Sequence, residues 1–368
     1  MNNPRILFIV PLPPPVHGSA MVSQYIKDCK ELQNEFQCDF INLSTSRNID
    51  EIGKKSLKKY WRFIAAYLIL FWRLLTNKYS LCYLAITCHG IGFLKDAPFI
   101  LLCKIFRKKV VIHQHNKGMS KCVDKAPYKW LLPLVYRNTK VILLSWHLYS
   151  DIAKVVKKEQ VIICPNGIPE ITNDEQSIER CNKETQLLFL SNLIPSKGVY
   201  VLLDACKILK DRGCKFMCNF VGGESKHITK EIFEKAINER GLNEYIKYNG
   251  AKYGNEKIAY FTQTNIFVQP TFDDCFPLTL LEAMQHKLPI ITTNIGAISD
   301  IVKNGENGYI VSPKDSLSLA DAIEKLITNK DLQIEMGEYS YKLYKENFTL
   351  KKFNNNIATI LKDICHSS

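Results

Sequence analysis

Short apolar runs alternate along this chain with longer stretches in which apolar residues recur at helical spacing. In the first half the runs predict strands at 5–10, 38–43, 81–86, 109–113, 140–144 and 160–163. The stretches between them predict helices at about 19–32, 57–77, 92–106, 127–138 and 146–157. The strand runs are continuously apolar, which is typical of a parallel sheet that helices cover on both faces.

The second half repeats this pattern. It predicts strands at 187–191, 215–221, 245–249, 265–269, 289–293 and 308–311, and closing helices at 315–329, 331–346 and 350–364. Residues 165–186 are polar and rich in turn-forming types, which indicates a linker. The predicted fold class is therefore α/β, with two doubly wound domains over residues 1–164 and 165–346.

Charge divides unevenly between the two halves. Residues 1–164 carry 25 Lys/Arg against 10 Asp/Glu, a balance of +15, whereas residues 165–368 carry 24 against 26. Such asymmetry predicts an anionic partner for the first half, and a membrane, a nucleic acid or a phosphorylated acceptor would all qualify. Nucleic acid is the least favoured of the three, because the basic half lacks the patterning of common RNA-binding modules.

The cysteine pattern and the N-terminal residues indicate the cellular compartment. The 13 cysteines form no C-x-x-C pair and no Cys/His cluster with zinc spacing, which favours free thiols in a reducing cytoplasm. An apolar strand-like run begins at Arg5, so no signal peptide is expected.

Residues 54–78 carry seven Lys/Arg and are predicted to form a basic amphipathic helix. The uncharged run from Phe63 to Trp72 is too short to cross a bilayer, which needs about 20 apolar residues. We expect the apolar side of this helix to pack on the sheet and its basic side to dock on an anionic membrane surface.

The segment 273–284 concentrates the candidate chemistry, because Asp274 and Glu282 stand eight positions apart around Phe276-Pro277. Pro277 is expected to begin a helix, since proline favours the first helical position. The unpaired amides of the first turn would then face Asp274, and such a helix end suits phosphate or sugar oxygens. A strand–loop–helix unit with a capping Asp and an exposed Glu explains the same residues equally well.

This segment resembles the acidic motif of retaining, nucleotide-sugar-dependent glycosyltransferases of family four. The family pattern is an acid, any residue, Phe-Pro, four residues and Glu-Ala. The first acid is usually Glu followed by Gly, whereas this chain has Asp274 and Cys275. Pro165-Asn166-Gly167 and the glycines after residue 294 resemble further parts of the family pattern, in the same order along the chain.

Two loops of the second half add to the resemblance and also depart from it. Lys197-Gly198 matches the end of the family's Gly-Arg-Leu…Lys-Gly loop, in which Arg and Lys clamp the donor diphosphate. Asn192 replaces that Arg and can only donate a neutral hydrogen bond. Gly222 ends a strand where the nucleotide is expected to approach the backbone.

The first half resembles the family more loosely. Gly18 closes a proline-rich loop after the first strand, where family members bring the backbone close to the donor or the acceptor. The family also has a His at the end of the fourth strand, facing the transferred sugar. His115 is our candidate for that role, and His113 is the alternative.

The resemblance implies a GT-B fold, in which two Rossmann-like domains face each other across a cleft and a helix at about 350–364 crosses back to the first domain. It implies transfer of a sugar from a nucleotide-diphosphate sugar, with retention of configuration and without a metal. The implied catalytic residues are Asp274, His115 and Lys197. The implied donor-binding residues are Gly18, Asn192, Lys197, Gly222, Cys275, Phe276, Pro277, Leu278 and Glu282.

The expected acceptor is a saccharide or a lipid-linked saccharide, as in the assembly of bacterial O antigen, lipopolysaccharide or capsule. We expect a cytoplasmic protein at the inner face of the plasma membrane. Two alternatives stay open: a nucleotide-sugar epimerase or hydrolase of the same fold, and a degenerate membrane-surface scaffold without turnover. The replacement at Asn192 favours the scaffold.

Overall fold

A computed structural model describes residues 3–44, 57–171 and 184–366 and divides the chain into two units. The first unit comprises Met1–Gly167 together with Leu350–Ser368, and the second comprises Ile168–Thr349. The sequence placed the boundary between residues 164 and 165. Of the predicted linker, residues 172–183 lie outside the described residues.

The first unit is built on a parallel sheet in the order β2-β1-β3-β4-β5-β6. Its strands are β1 Arg5–Val10, β2 Gln37–Asn42, β3 Leu81–Ala85, β4 Lys109–Gln114, β5 Lys140–Leu143 and β6 Val161–Ile163. Apart from Arg5, β1 and β3 consist of apolar residues, and both strands are almost entirely buried because helices cover both faces of the sheet. The strand order reverses between β1 and β3, and open α/β sheets bind ligands beyond such a switch point.

The residues described before the second unit include the helices α1 Gly18–Asp28, α2 Lys30–Glu35, α3 Leu57–Thr76, α4 Gly90–Ile105, α5 Tyr128–Tyr136 and α6 Tyr149–Ile152. The single helix predicted at 19–32 is wrong, because Cys29 adopts an extended backbone that separates α1 from α2. The helix predicted at 146–157 shortens to α6 with 3₁₀ turns before and after it.

The second unit contains another parallel sheet, in the order β12-β11-β10-β7-β8-β9. Its strands are β7 Thr185–Leu190, β8 Phe216–Val221, β9 Ile246–Tyr248, β10 Ile266–Gln269, β11 Ile290–Thr293 and β12 Gly308–Val311. Its helices are α7 Val199–Asp211, α8 Lys230–Glu239, α9 Gly254–Gln263, α10 Leu278–Gln285, α11 Ile298–Ile301, α12 Ser316–Ile327 and α13 Lys330–Asn347. The strand order reverses between β7 and β10, which creates a second switch point.

The closing helix, α14 Leu350–His366, belongs to the first unit and packs on α1 and α2. Its apolar face, which includes Phe353 and Leu361, is buried. The Asn354 amide donates to Glu31 at 3.4 Å, and Lys362 forms an ion pair with Glu35. The chain therefore returns to the unit in which it began.

Helix α3 differs from the expectation in its packing. Leu70 and Leu74 are the fully buried residues of this helix, although the sequence predicted that its whole apolar side would pack on the sheet. Nine large apolar side chains are exposed instead: Leu57, Tyr60, Trp61, Ile64, Leu68, Ile69, Phe71, Trp72 and Leu75. None of the helices in the described ranges is long and apolar enough to cross a membrane.

Candidate functional site

The second unit carries its candidate residues at the ends of β7 and β10, the two strands that flank its switch point. A 3₁₀ turn, Pro195–Lys197, follows β7 and leads into α7. The end of this turn passes close to the loop after β10. Gly198 there has φ +84°, and an added Cβ would lie 2.1 Å from the Pro270 carbonyl oxygen. This close approach fixes Lys197 against the loop that follows β10.

Lys197 and Asp274 form an ion pair at this edge of the sheet. The Lys197 ammonium donates to Asp274 Oδ2 at 2.5 Å, and both side chains are largely buried, with 22% and 14% exposed. The other carboxylate oxygen accepts from the Cys275 backbone N–H at 3.0 Å. The structure thus brings together two of the three residues for which the family resemblance implies a catalytic role.

Gln269 connects the Lys197–Asp274 pair to helix α10. It is buried at the end of β10, donates to Asp274 Oδ2 at 3.4 Å and accepts from the Thr279 hydroxyl at 2.7 Å. The carboxylate is therefore tied to the first turn of α10 through a side chain that the sequence analysis did not select. A polar residue that ends an apolar strand was the feature that could have identified it.

The start of α10 corrects two expectations. Pro277 is the N-cap residue and the helix begins at Leu278, so Pro277 is not the first helical residue. No side chain of the described residues caps this end, and Asp274 therefore does not cap it. The first-turn amides have no partner inside the helix, and they leave an amide-rich end beside the Lys197–Asp274 pair. Cys275 and Phe276 line the same turn as buried residues.

Glu282 lies in the second turn of α10 with its two carboxylate oxygens in different situations. Oε1 accepts from the Lys257 ammonium of α9 at 2.6 Å. Oε2 is buried and makes no hydrogen bond to any described residue. One oxygen therefore orients the carboxylate while the other can accept a hydroxyl donor. The sequence analysis missed Lys257, because nothing in the local sequence links α9 to Glu282.

Asn192 has a structural role that the sequence did not predict. Its side-chain oxygen accepts from the Gly223 N–H at 3.0 Å, which joins the loops after β7 and β8. Gly222 is required there for packing, since an added Cβ would lie 2.0 Å from the Ser191 carbonyl oxygen. The need for glycine at position 222 is thus explained within the fold, and binding of a nucleotide there stays a prediction.

In the first unit, the loops after β1, β2, β3 and β4 enclose a cavity of about 510 Å³ at the switch point. Its lining combines apolar loop residues with Ser44, Lys95, Asp96 and His115. His17 also lines it and is the N-cap of α1, where Nδ1 accepts from the Ala20 N–H at 3.3 Å. Gly18 begins α1, and an added Cβ there would meet no atom within 4 Å.

The two histidines of β4 and its loop lie in different environments. His113 is fully buried, and its Nδ1 lies 2.5 Å from the Tyr83 hydroxyl. His115 lines the cavity, and neither of its ring nitrogens has a hydrogen-bond partner among the described residues. Burial lowers the pKa of His115 to about 4, so its ring is neutral near pH 7. This geometry favours His115 over His113 as the group that meets a ligand.

Asp96 is a second titratable group of this cavity, and the sequence analysis did not select it. Its carboxylate accepts from the Thr87 N–H at 2.9 Å. Burial raises the pKa of Asp96 from its usual 3.8 to about 6, against the opposing effects of the Thr87 N–H and Lys95. The carboxyl group therefore titrates close to the physiological range.

This pKa shift predicts a pH-dependent effect of Asp96→Asn on stability. Because the pKa is raised in the folded state, the carboxyl contributes stability that is present below about pH 4 and lost as the pH rises through about 6. The Tm of Asp96→Asn minus the Tm of wild type should therefore rise between pH 4 and pH 7 and then level off, because wild type alone loses this contribution. Calorimetry across this range measures it, and a constant difference would contradict the shifted pKa.

In the parts of the chain that the structure describes, no group of three or more His, Cys, Asp or Glu side chains is arranged to hold a metal ion. The candidate positive charge beside Asp274 is the Lys197 ammonium. Transfer without a metal stays a prediction.

Comparison with known families bears on the second unit. Residues 170–343 match the sequence profile of the family described as glycosyl transferases group 1. The second unit is a group 1 glycosyl transferase domain. The matched segment contains Lys197, Asp274 and Glu282, so the resemblance inferred from these motifs is confirmed at the level of this family. The subdivision into family four stays a prediction.

Among curated proteins, the chain is similar to the capsular polysaccharide biosynthesis glycosyltransferase CapM of Staphylococcus aureus. The two are 26% identical over 161 residues, which cover 44% of this chain and 41% of CapM. The matched segments span 37–60% of the lengths of the first curated relatives.

Solved structures resemble the whole chain. Sucrose-phosphate synthase from Thermosynechococcus elongatus has a TM-score of 0.77 at 16% identity, with 100% of both chains covered. Anabaena HepE, solved in complex with UDP-glucose, has a TM-score of 0.74 at 17% identity, with 98% of this chain and 99% of HepE covered. At these identities the likeness concerns the fold, and it confirms the two-domain Rossmann-like α/β fold predicted from the sequence.

Proposed function

We propose that this group 1 glycosyl transferase moves a sugar from a nucleotide-diphosphate sugar to an acceptor hydroxyl. The observation that carries the proposal is the Lys197–Asp274 pair beside the amide-rich start of α10. A cation and helix amides together suit a diphosphate, and the carboxylate suits sugar hydroxyls. A uridine diphosphate sugar is the first donor to test, because HepE was solved with UDP-glucose.

Each donor contact has a proposed residue. The free Oε2 of Glu282 accepts from ribose hydroxyls, while Lys257 holds Oε1. Asp274 orients the donor sugar, and the amides of Phe276 and Leu278 meet its oxygens. Lys197 balances the charge that develops on the leaving diphosphate, where a preorganised cation acts most strongly.

The proposed reaction retains the anomeric configuration by attack from the face that the diphosphate leaves. The bond between the anomeric carbon and the diphosphate oxygen breaks as the acceptor oxygen bonds to that carbon. The departing phosphate takes the acceptor proton, so no separate carboxylate base is required. Neutral His115 hydrogen-bonds a sugar hydroxyl, and Lys197 supplies the positive charge that a metal would otherwise provide.

We propose a lipid-linked saccharide of surface-polysaccharide assembly, such as capsule or O antigen, as the acceptor, and the inner face of the plasma membrane as the place of reaction. The support is α3, where nine large apolar side chains are exposed and the only charged residues are Lys58, Lys59, Arg62 and Arg73. An apolar face with cations and no acids is complementary to an anionic membrane surface. Lys54 and Lys55 of the predicted basic segment lie outside the described residues.

A panel of UDP-, GDP-, ADP- and dTDP-sugars tests donor binding. We expect one nucleotide class to raise Tm selectively in wild type. We expect Glu282→Ala to weaken this binding by about tenfold to hundredfold, as for loss of a hydrogen bond to a charged group. Titration calorimetry gives the dissociation constants.

The matched control is Glu338→Ala, which removes a half-exposed carboxylate paired with Lys287 on the surface of the same unit. This variant should bind the donor as wild type does. Failure of every nucleotide sugar to bind the folded protein would overturn the proposal and favour the scaffold alternative. Binding followed by donor breakdown or epimerisation without an acceptor would favour the other alternative.

A further inference from the structure

A second cavity in the first unit lies against α3. It has a volume of about 440 Å³ and is bounded by α3, the end of β2 and α4. Its lining is mainly apolar and includes Phe63, Ile69 and Phe99. Among the described residues that line it, Arg62 and Arg73 are cationic. Apolar walls with guanidinium groups suit an amphiphile with an anionic headgroup.

The two arginines lie on the same side of α3. They are eleven residues apart, which is close to three helical turns or about 16 Å along the axis. Arg73 is anchored to the sheet, since its Nη1 donates to the Phe40 carbonyl oxygen at 3.4 Å. Because guanidinium groups make short, strong hydrogen bonds to phosphate oxygens, these two arginines favour a phosphate-bearing headgroup.

This cavity adjoins the cavity that contains His115. Leu43 and Ser44 line both, and the neighbouring residues Pro14 and Pro15 line one each. A ligand in the arginine-lined cavity can therefore extend past Ser44 toward Asp96 and His115 without leaving the first unit. Helix α3 also contributes exposed apolar side chains next to Arg62, including Trp61 and Ala65.

We propose that the arginine-lined cavity binds the diphosphate of a polyprenyl-linked acceptor, whose saccharide extends into the His115 cavity. This inference rests on the proposed transfer to a lipid-linked saccharide. The apolar lining takes the first isoprenyl units, and the exposed face of α3 lies in the membrane from which the lipid comes. The order along the path is lipid chain, diphosphate and saccharide, which is the order of these groups in such an acceptor.

The test uses the full-length protein and neutral phosphatidylcholine vesicles that contain a few per cent of a polyprenyl diphosphate. Phosphatidylglycerol vesicles of equal surface charge and soluble inorganic pyrophosphate are the comparison ligands. We expect wild type to bind the polyprenyl diphosphate vesicles about tenfold more tightly than the phosphatidylglycerol vesicles, as for one added charged hydrogen bond. Equal affinity for the two vesicles would overturn the proposal, since it would indicate attraction to surface charge alone.

Arg62→Gln is expected to remove this preference, whereas Lys129→Gln, the same loss of charge on an exposed residue of α5 outside the cavity lining and outside α3, is expected to keep it. Ala66→Phe, which fills the cavity without changing charge, should also remove the preference. An equal loss in Arg62→Gln and Lys129→Gln would contradict the assigned site, and so would an unaffected Ala66→Phe. If nucleotide sugars still bind while the preference is absent, this inference alone fails; if both are absent, the proposed function fails too.

Discussion

Replacing Lys197 by alanine is expected to lower kcat/KM for sugar transfer by about 10²- to 10³-fold, the loss typical of one preorganised charge-stabilising group. The ammonium lies 2.5 Å from Asp274 and is fixed by the tight turn at Gly198. Because charge on the diphosphate is greatest as the sugar bond breaks, the loss should fall mainly on kcat. Steady-state kinetics with the donor identified by calorimetry gives both constants.

The matched control is Lys235→Ala, which removes an exposed lysine paired with Glu239 on α8. Its kcat/KM should stay within about twofold of wild type, since exposed pairs contribute little. Asp274→Asn and the double variant complete a cycle. Because the two side chains act as a unit, the double variant should be scarcely slower than Lys197→Ala. Full activity of Lys197→Ala would remove this lysine from the proposed mechanism.

The positions of the candidate loops could be predicted because topology decides them. Predominantly apolar runs such as 5–10 and 265–269 indicated buried parallel strands, and the ends of parallel strands lie at one edge of a sheet. Lys197 and Asp274 are 77 positions apart, yet both follow strands that flank a switch point, so their proximity follows from the strand order.

The supporting contacts could not be predicted, because they depend on side-chain positions between elements. Lys257 reaches Glu282 across α9 and α10, and Gln269 joins Asp274 to Thr279. Asp96 acquires its raised pKa only through burial in the cavity of the first unit. Lys257 and Asp96 belong to no motif, and the local signal for Gln269 is limited to a polar residue at the end of an apolar strand.

Helix α3 shows a related limit. The periodic pattern predicted a helix at 57–77, and the structure has Leu57–Thr76. A pattern of apolar residues specifies an amphipathic helix without specifying what its apolar face contacts. The sheet buries only Leu70 and Leu74 fully, and the broader face that includes Trp61, Leu68 and Trp72 is left to water or to a partner. An apolar surface of this size is typical of an interaction site.

The variant Trp61→Ser/Leu68→Ser/Trp72→Ser is therefore expected to lower partition onto anionic vesicles by at least about a hundredfold, because full burial of each such side chain contributes about 1.5–3 kcal/mol. In wild type these side chains are 70%, 60% and 64% exposed. Their replacement should leave Tm nearly unchanged, since little packing is lost. Vesicle sedimentation measures the partition, and Ile334→Ser, an exposed apolar replacement in the second unit, is the control.

Salt separates the apolar contribution from the electrostatic one. Reversal of Lys58 and Lys59 to Glu should weaken binding most at low ionic strength, where each cation near the surface contributes about 1 kcal/mol. The loss caused by the apolar variant should persist at high salt, because burial of apolar surface is not screened. Unchanged partition of the apolar variant would contradict insertion of α3, and a fall in self-association in its place would identify a second copy of the chain as the partner of this face.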